Sequence, residues 1–261
     1  MSVSRPSGGV TYQNQGRVVV VTGGSQGIGL AIAGGFAQSG ATVLSLDLAS
    51  PAQPIQGVRC MRCDVSDSEQ CLSVLADIQA EYSYIDVLVN NAAIQPVDSY
   101  YPIHELDDSV IKRMTEVNFL GYLRMARFVL PIMIQQRSGV IVNLASGQAH
   151  RTARGVGVYG PIKSANLMQT RQWAVEYARH GVRVVSVSPG AIDTPMVRAT
   201  LEEQGGEDAL ANRHPLGRIG TPDEVASAVM WLASNDAAFV TGTDLEVDGG
   251  LGAFGAFADP Y

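Results

Sequence analysis

The chain has 261 residues, of which 46% are hydrophobic. That is enough for one α/β domain with a substantial core, and too much for disorder across its body. Eighteen basic residues against 25 acidic ones give a formal net charge of −7, with no Lys/Arg run to interrupt it, which argues against a nucleic-acid partner. No apolar run reaches the ~18 residues of a membrane span. The polar stretch Met1–Gly16 carries no apolar segment of the kind a secretory signal needs, so a soluble cytoplasmic protein with no membrane partner is the expectation.

In chain order, Val18–Thr22 is a β-branched run ending at glycines, as in a strand buried on both faces. A helix follows from about Ile28 to Ser39, stopped by Gly40, and Thr42–Asp47 and Gly57–Val65 read as further strands. Ser66/Asp67 caps a helix to about Tyr82. Ile85–Val89 is a fourth strand. Asp108–Gln136 is a long helical region with a kink expected at Pro131. Val140–Leu144 is a fifth strand, Tyr159–His180 a helix, Val182–Val187 a sixth strand, Pro222–Ala233 a helix and Asp244–Val247 a seventh strand. Strands alternating with helices predict a single doubly wound parallel sheet of about seven strands, with helices on both faces and the ligand site at the carboxyl ends of the strands. No internal repeat or linker divides the chain. We expect a flexible extension over residues 1–15, one catalytic domain over 16–250 and a tail over 251–261.

The three cysteines are Cys60, Cys63 and Cys71. Cys60 and Cys63 make a C-x-x-C, but residues three apart in a strand face opposite ways and no second Cys/His pair lies nearby. Packed strand residues are the expectation, and no metal site.

Gly23, Gly27 and Gly29 follow the first strand with the spacing G-x-x-x-G-x-G. Such a turn brings backbone N–H groups and a helix N-terminus up to a pyrophosphate, and the strand before it and helix after it strengthen that reading. Asp47, at the end of the second strand, predicts NAD, because its carboxylate accepts from both ribose hydroxyls and repels the 2′-phosphate of NADP. The loop itself offers Ser25, Gln26 and Ile28 rather than a cation.

Tyr159 and Lys163, four residues apart, share a helix face. A phenol titrates near pH 10, so use near neutrality needs a fall of ~3 units, about 4 kcal/mol. A unit charge ~4 Å away at an effective dielectric near 20 supplies about that much. Pro161 is tolerated if the helix starts near Val158. Ser146, after the fifth strand, can aim its hydroxyl at the same reacting oxygen. Asn118 lies mid-helix, where Asn is unfavourable, so a specific polar task is expected of it.

The motifs TGGSQGIG (22–29), CDVSD (63–67), NNAA (90–93), the Asn118 helix, Ser146, YGPIK (159–163), SPG (188–190) with Thr194, and TGTDLEVDGG (241–250) together resemble the short-chain dehydrogenase/reductase family over roughly residues 16–250. The resemblance implies a Rossmann-type seven-stranded sheet, a homotetramer (or homodimer) and a catalytic tetrad of Asn118, Ser146, Tyr159 and Lys163. Tyr159 would be the acid/base, Ser146 would polarise the substrate oxygen, Lys163 would lower the Tyr pKa and hold the nicotinamide ribose, and Asn118 would anchor a relay water. It further implies adenine contacts from Asp64 and Val65, an adenosine-ribose role for Asn90, and carboxamide contacts from Ile192 and Thr194, with Ala92, Pro189 and Gly190 completing the cofactor set. Two positions depart from the family pattern, Ala93 where Gly is common and Val185 where Asn is common, and neither touches the tetrad.

Gln95 and Gln148 stand just past these positions, and His150, Arg151 and Arg154 crowd the loop before Tyr159, with Arg198, Arg213 and His214 in the segment after strand six. Gln95, Gln148, Arg151 and Arg154 are taken as substrate residues for a polar small molecule, polyhydroxy or anionic, such as a sugar, polyol or hydroxy acid. The bland alternative is solvated loop charge. The expected activity is hydride transfer between a secondary alcohol (or hemiacetal) and NAD. The competing readings are a biosynthetic NADPH-type ketoreductase and a non-catalytic nucleotide-binding scaffold. The aromatic tail (Phe254, Phe257, Tyr261) is expected to pack on a neighbouring subunit.

Overall fold

The computed structural model of the protein describes residues 8–202 and 204–254. Its strands are β1 (Val18–Thr22), β2 (Thr42–Asp47), β3 (Val58–Arg62), β4 (Val87–Asn90), β5 (Gly139–Leu144), β6 (Val182–Pro189) and β7 (Asp244–Val247). They form one sheet of order β3-β2-β1-β4-β5-β6-β7, parallel throughout. The order reverses between β1 and β4, so a crevice opens at the carboxyl ends of those strands.

The helices are α1 (Gly27–Gln38), α2 (Ser68–Tyr82), α3 (Asp108–Thr115), α4 (Gly121–Gln136), α5 (Tyr159–Tyr177), α6 (Pro195–Arg198), α7 (Gly206–Ala211) and α8 (Pro222–Ala233). Alternate side chains of the strands feed two cores. Val20, Leu44, Leu88, Ile141 and Val184 meet α2, α4 and α5 through Ile78, Met125, Val129 and Trp173. Val19, Val43, Val89, Val142 and Val185 meet α1 and α8 through Ile32, Phe36, Val225 and Val229. Burial on both faces explains why β1, β4 and β5 are unbroken apolar runs rather than alternating ones.

One cap acts as expected and a second emerges from the structure. Asp67 caps α2, accepting from Glu69 N and Gln70 N at 2.9 and 3.1 Å. Thr221 and Glu224 close a capping box on α8. Other expectations need correction. The helical region Asp108–Gln136 is irregular at Glu116–Leu120, a π turn, while Pro131 stays inside α4. It is the one helix among the described residues long and apolar enough to cross a membrane, although reading for unbroken apolar runs did not single it out. Half its apolar stretch is buried against the sheet, where a core helix belongs. Strand β3 is an edge strand, so Cys60 is exposed; Cys63 is buried and hydrogen-bonds with Cys71, and both contact and burial push its thiol pKa up. The extension is anchored at its end, since Asn14 is buried and its N–H and Nδ2 donate to Ser39 O and Oγ at 2.8 and 2.7 Å. Residues 1–7 of that extension, and Phe257 and Tyr261 of the tail, lie outside the described residues.

The carboxyl end of α8 is closed from beneath the sheet by two arginines. Arg183 Nη1 donates to Leu232 O (2.8 Å) and Val240 O (3.1 Å) and its Nη2 to Ser234 O (3.1 Å), while Arg17 Nη2 donates to Ala233 O (3.0 Å). Cations there complement the helix dipole and satisfy carbonyls that the helix itself leaves unpaired. Arg183→Met keeps most of the apolar stem and leaves three acceptors unpaired. It should lower the unfolding free energy by about 1–3 kcal/mol, read from the midpoint of urea denaturation at unchanged slope.

Candidate active site

The glycine turn after β1 has no room for a side chain. A Cβ on Gly29 would sit 2.1 Å from Gly23 O, and one on Gly23, whose φ is +66°, would sit 2.8 Å from Ala92 Cα. Asn91 locks the turn, donating Nδ2 to Thr22 O (3.0 Å) and Gly23 O (2.9 Å). Thr22 Oγ1 in turn accepts from Asn91 N and Ala92 N at 3.0 and 3.1 Å. Helix α1 starts here with no side-chain cap, so its first N–H groups and its positive dipole end are available to an anion.

A cavity of about 540 Å³ runs from this turn across the carboxyl edge of the sheet. Of the expected cofactor residues, Gly23, Gln26, Gly27, Ile28, Gly29, Asp47, Asp64, Val65, Ala92, Pro189, Gly190, Ile192 and Thr194 line it. Ser25 does not; its N–H and Oγ donate to Asp47 Oδ2 at 3.0 and 2.6 Å and so orient that carboxylate. Asn90 is also absent from the lining. It is wholly buried, with Nδ2 donating to Asn143 Oδ1 at 2.9 Å, and its neighbour Asn91 takes the position facing the cavity. In an alternating strand, successive residues face opposite ways, and the motif alone gives no register.

Tyr159, Ser146 and Lys163 all line the cavity. Val158 precedes the first turn of α5, so Pro161 costs no ladder bond. The Ser146 hydroxyl works to lower the Tyr159 pKa, and its Oγ accepts from Gln148 N at 3.1 Å. The charge argument needs correction. Lys163 is 1% exposed, and its Nζ donates to Leu144 O (2.7 Å) and Tyr122 Oη (3.2 Å), lying 5.6 Å from the centre of the Tyr159 ring. Burial lowers its pKa to about 7. Burial, followed by the nearby Tyr100 charge, raises that of Tyr159 well above the ordinary phenol value, against which the Ser146 hydroxyl works. Desolvation therefore dominates at both groups, and Lys163 alone does not bring the phenol near neutrality.

Asn118 does not face the cavity. It sits fully buried in the π turn, its Oδ1 accepting from Ile94 N and its Nδ2 donating to Ile94 O, both at 2.8 Å. Its own carbonyl accepts from Asn166 Nδ2 at 3.1 Å. The amide thus holds the segment after β4 against α5. Neither Asn166 nor Tyr122 was found by sequence reasoning; the spacing of four from Asn118 to Tyr122 was the available signal.

Gln95, Gln148 and Arg151 line the cavity, but Arg154 does not. Arg151 is occupied, donating Nη1 to Leu251 O and Nη2 to Glu246 Oε2 at 3.4 Å. Arg198 is ion-paired with Asp193 and Glu207 outside the lining. His150 faces Asp244, with Nε2 2.8 Å from Oδ2. His214 lines the cavity as a buried imidazole whose Nε2 accepts from Ala191 N (3.1 Å) and whose Nδ1 donates to Leu210 O (2.9 Å). Among the described residues no cluster of His, Cys, Asp or Glu is placed to hold a metal ion.

Residues 23–252 match a family model described as enoyl-(acyl carrier protein) reductase. The 3-oxoacyl-(acyl-carrier-protein) reductase FabG of Thermotoga maritima is 38% identical over 247 residues, covering 91% of this chain and 98% of that protein. The cis-4-hydroxycyclohexanecarboxylate dehydrogenase of Sinomonas cyclohexanicum is 37% identical over 250 residues, covering 91% and 97%. The ligand-free structure of Thermoplasma acidophilum aldohexose dehydrogenase superposes with a TM-score of 0.88 at 37% identity, covering 95% of this chain and 98% of that one. The chain belongs to the short-chain dehydrogenase/reductase family, whose members are oxidoreductases that bind a nicotinamide cofactor.

The burial of Lys163 has a measurable consequence. Its folded pKa of about 7 lies below the unfolded value near 10.4. Between those values the unfolded chain holds a proton that the folded one does not, so this group makes stability rise with pH across that window. Urea unfolding of the wild type near pH 7 and near pH 9.5 should register that rise, and Lys163→Met should abolish it. An equal pH slope in both proteins would mean that the folded lysine stays protonated.

Proposed function

We propose that this short-chain dehydrogenase/reductase is an NAD-dependent dehydrogenase, moving a hydride between the carbinol carbon of a secondary alcohol (or hemiacetal) and the nicotinamide, with Tyr159 as acid/base. The observation that carries the reading is the convergence of Ser146, Tyr159 and Lys163 on the cavity that the glycine turn lines. In oxidation the substrate O–H proton passes to the Tyr159 oxygen as the carbinol C–H leaves as hydride, and reduction reverses both. Ser146 orients and polarises the substrate oxygen. Lys163, fixed by Leu144 O and Tyr122 Oη, sits where it can reach a ribose hydroxyl and carry positive charge beneath the Tyr ring. Asn118 acts at one remove, holding Ile94 and, with Asn166, the π turn.

The residues present fit a dinucleotide. The uncapped start of α1 and the tightly closed Gly23–Gly29 turn suit the pyrophosphate, Asp64 and Val65 the adenine, and Ile192 and Thr194 the carboxamide end. Bound nicotinamide supplies the hydride acceptor or donor. Asp47 supports NAD over NADP, because Ser25 and Ala49 N–H groups already hold its carboxylate in the cavity wall. One observation favours the NADP alternative: Arg62 stands opposite Asp47 in the β2–β3 register, with Nη1 donating to Leu48 O at 2.6 Å. A 2′-phosphate could draw that guanidinium away from the carbonyl, but only against the Asp47 charge.

A polar substrate, polyhydroxy or anionic, is part of this reading, supported by Gln95 and Gln148 in the lining. A homotetramer or homodimer rests on the family resemblance. A purely nucleotide-binding role has no observation in its favour while Ser146, Tyr159 and Lys163 converge on one cavity.

Two measurements check the reading. Purified protein should reduce NAD with a polar secondary alcohol at a kcat/KM at least ~10-fold above that with NADP, and Asp47→Ser should narrow the preference, since one charge contact is worth about 1–3 kcal/mol. Tyr159→Phe should lower kcat by roughly 10²–10⁴-fold while leaving the NADH dissociation constant within a few-fold. Unaltered turnover in Tyr159→Phe would refute the acid/base assignment.

A further inference from the structure

At the substrate end of the cavity, two glutamines stand on either side of the reacting groups. Gln95 belongs to the segment after β4, and Gln148 lies two residues past Ser146, its N–H donating to the Ser146 hydroxyl. Each carries a buried amide atom with no partner, Nε2 in Gln95 and Oε1 in Gln148. One is a donor without an acceptor and the other an acceptor without a donor. Leaving such groups unpaired is costly, so the pair selects what can answer both.

We infer that Gln95 and Gln148 bind two hydroxyls of a neutral polyhydroxy substrate, in addition to the hydroxyl that is oxidised. The inference rests on the hydride-transfer reading and narrows its substrate class. A hydroxyl both donates and accepts, so it answers the Gln95 Nε2 donor as well as the Gln148 Oε1 acceptor. A carboxylate only accepts. It would satisfy Gln95 and face the Gln148 oxygen with like charge. A ketone or ester oxygen has the same defect, and an apolar alcohol leaves both amides unpaired.

The cations argue the same way. Arg151 spends both Nη groups on the Leu251 carbonyl and Glu246 and leaves only its Nε without a partner, Arg154 lies outside the lining, and Arg198 is paired with Asp193 and Glu207. Arg213 lines the cavity, and its Nη2 donates to Gln204 O at 2.8 Å. It is the group an anionic substrate would have to recruit.

The test is a comparison of matched substrates with NAD. myo-Inositol and D-glucose would be compared with their monodeoxy analogues, with D-gluconate and with cyclohexanol, in the wild type and in Gln95→Leu and Gln148→Leu, with Gln95→Met and Gln148→Met as milder variants. Loss of one answering hydroxyl should lower kcat/KM by about 10-fold or more in the wild type. The ratio of polyol to deoxy analogue should fall towards one in the variant facing the deleted hydroxyl. Preference for gluconate or cyclohexanol, or a ratio that the substitutions leave intact, would overturn the inference while the hydride-transfer reading stands. No NADH from any alcohol would instead sink the hydride-transfer reading. Titration calorimetry of the polyols against the protein with NADH then decides the substrate class separately: binding weakened by the glutamine substitutions supports it, and absence of polyol binding overturns it.

Discussion

The site is organised around a lysine ammonium taken out of water. Lys163 comes from α5, but it donates to the last carbonyl of β5 and to a tyrosine of α4, so one side chain pins two helices to the sheet edge. The cost of that burial appears as its pKa of about 7, and it is tolerable only because hydrogen-bond partners meet the charge. Everything near it is arranged for contact rather than for solvation: Tyr122 is 1% exposed and Tyr159 9%. A well-hydrated lysine at the same position would hold nothing in place.

Behind this edge runs a second polar device. Asn90 donates to Asn143, Asn143 Nδ2 to Thr170 Oγ1, Thr170 Oγ1 to Asn166 O, and Asn166 Nδ2 to Asn118 O, each at 2.9–3.1 Å. The chain of amides crosses from the centre of the sheet through α5 to the π turn, and from there Asn118 fixes Ile94 on the cavity wall. Buried polar networks are costly unless satisfied; in this one only Asn90 Oδ1 and Asn166 Oδ1 lack a partner, and the bonds that are made favour one geometry. Here the geometry imposed is the spacing between the segment after β4, which carries Gln95, and helix α5, which carries Tyr159.

These two devices mark what could and could not be read in the sequence. The strands were legible because burial on both faces makes them continuous apolar runs, and Thr42–Asp47, Pro222–Ala233 and Asp244–Val247 match residue for residue. The glycine turn was legible because its close approaches admit no Cβ. Asn90 was misassigned because its motif marks a strand end without saying which face each of its two asparagines takes. Asn118 was noticed only as a residue out of place, and the π turn that accommodates it has no local signature. The net shift at Tyr159 was not legible, since spacing on a helix gives proximity of Cβ atoms but neither the direction of an ammonium nor the desolvation that raises the phenol.

That shift has a chemical consequence. With Tyr159 held above its ordinary pKa and Lys163 near 7, the phenol keeps its proton at neutral pH and can give it to a nascent alkoxide, which suits reduction. Oxidation needs the opposite state, and the positive charge that favours it has to come from elsewhere in the cavity. An oxidised nicotinamide ring carries one positive charge and a reduced ring none. At ~4–6 Å and an effective dielectric near 20, that charge is worth about 3–4 kcal/mol, or two to three units of phenol acidity. In the proposed reading, an oxidised ring would draw the phenol back towards its ordinary range and a reduced ring would not, so the cofactor's charge would bias the same tyrosine towards base or acid. A permanently acidified phenol would serve only one direction.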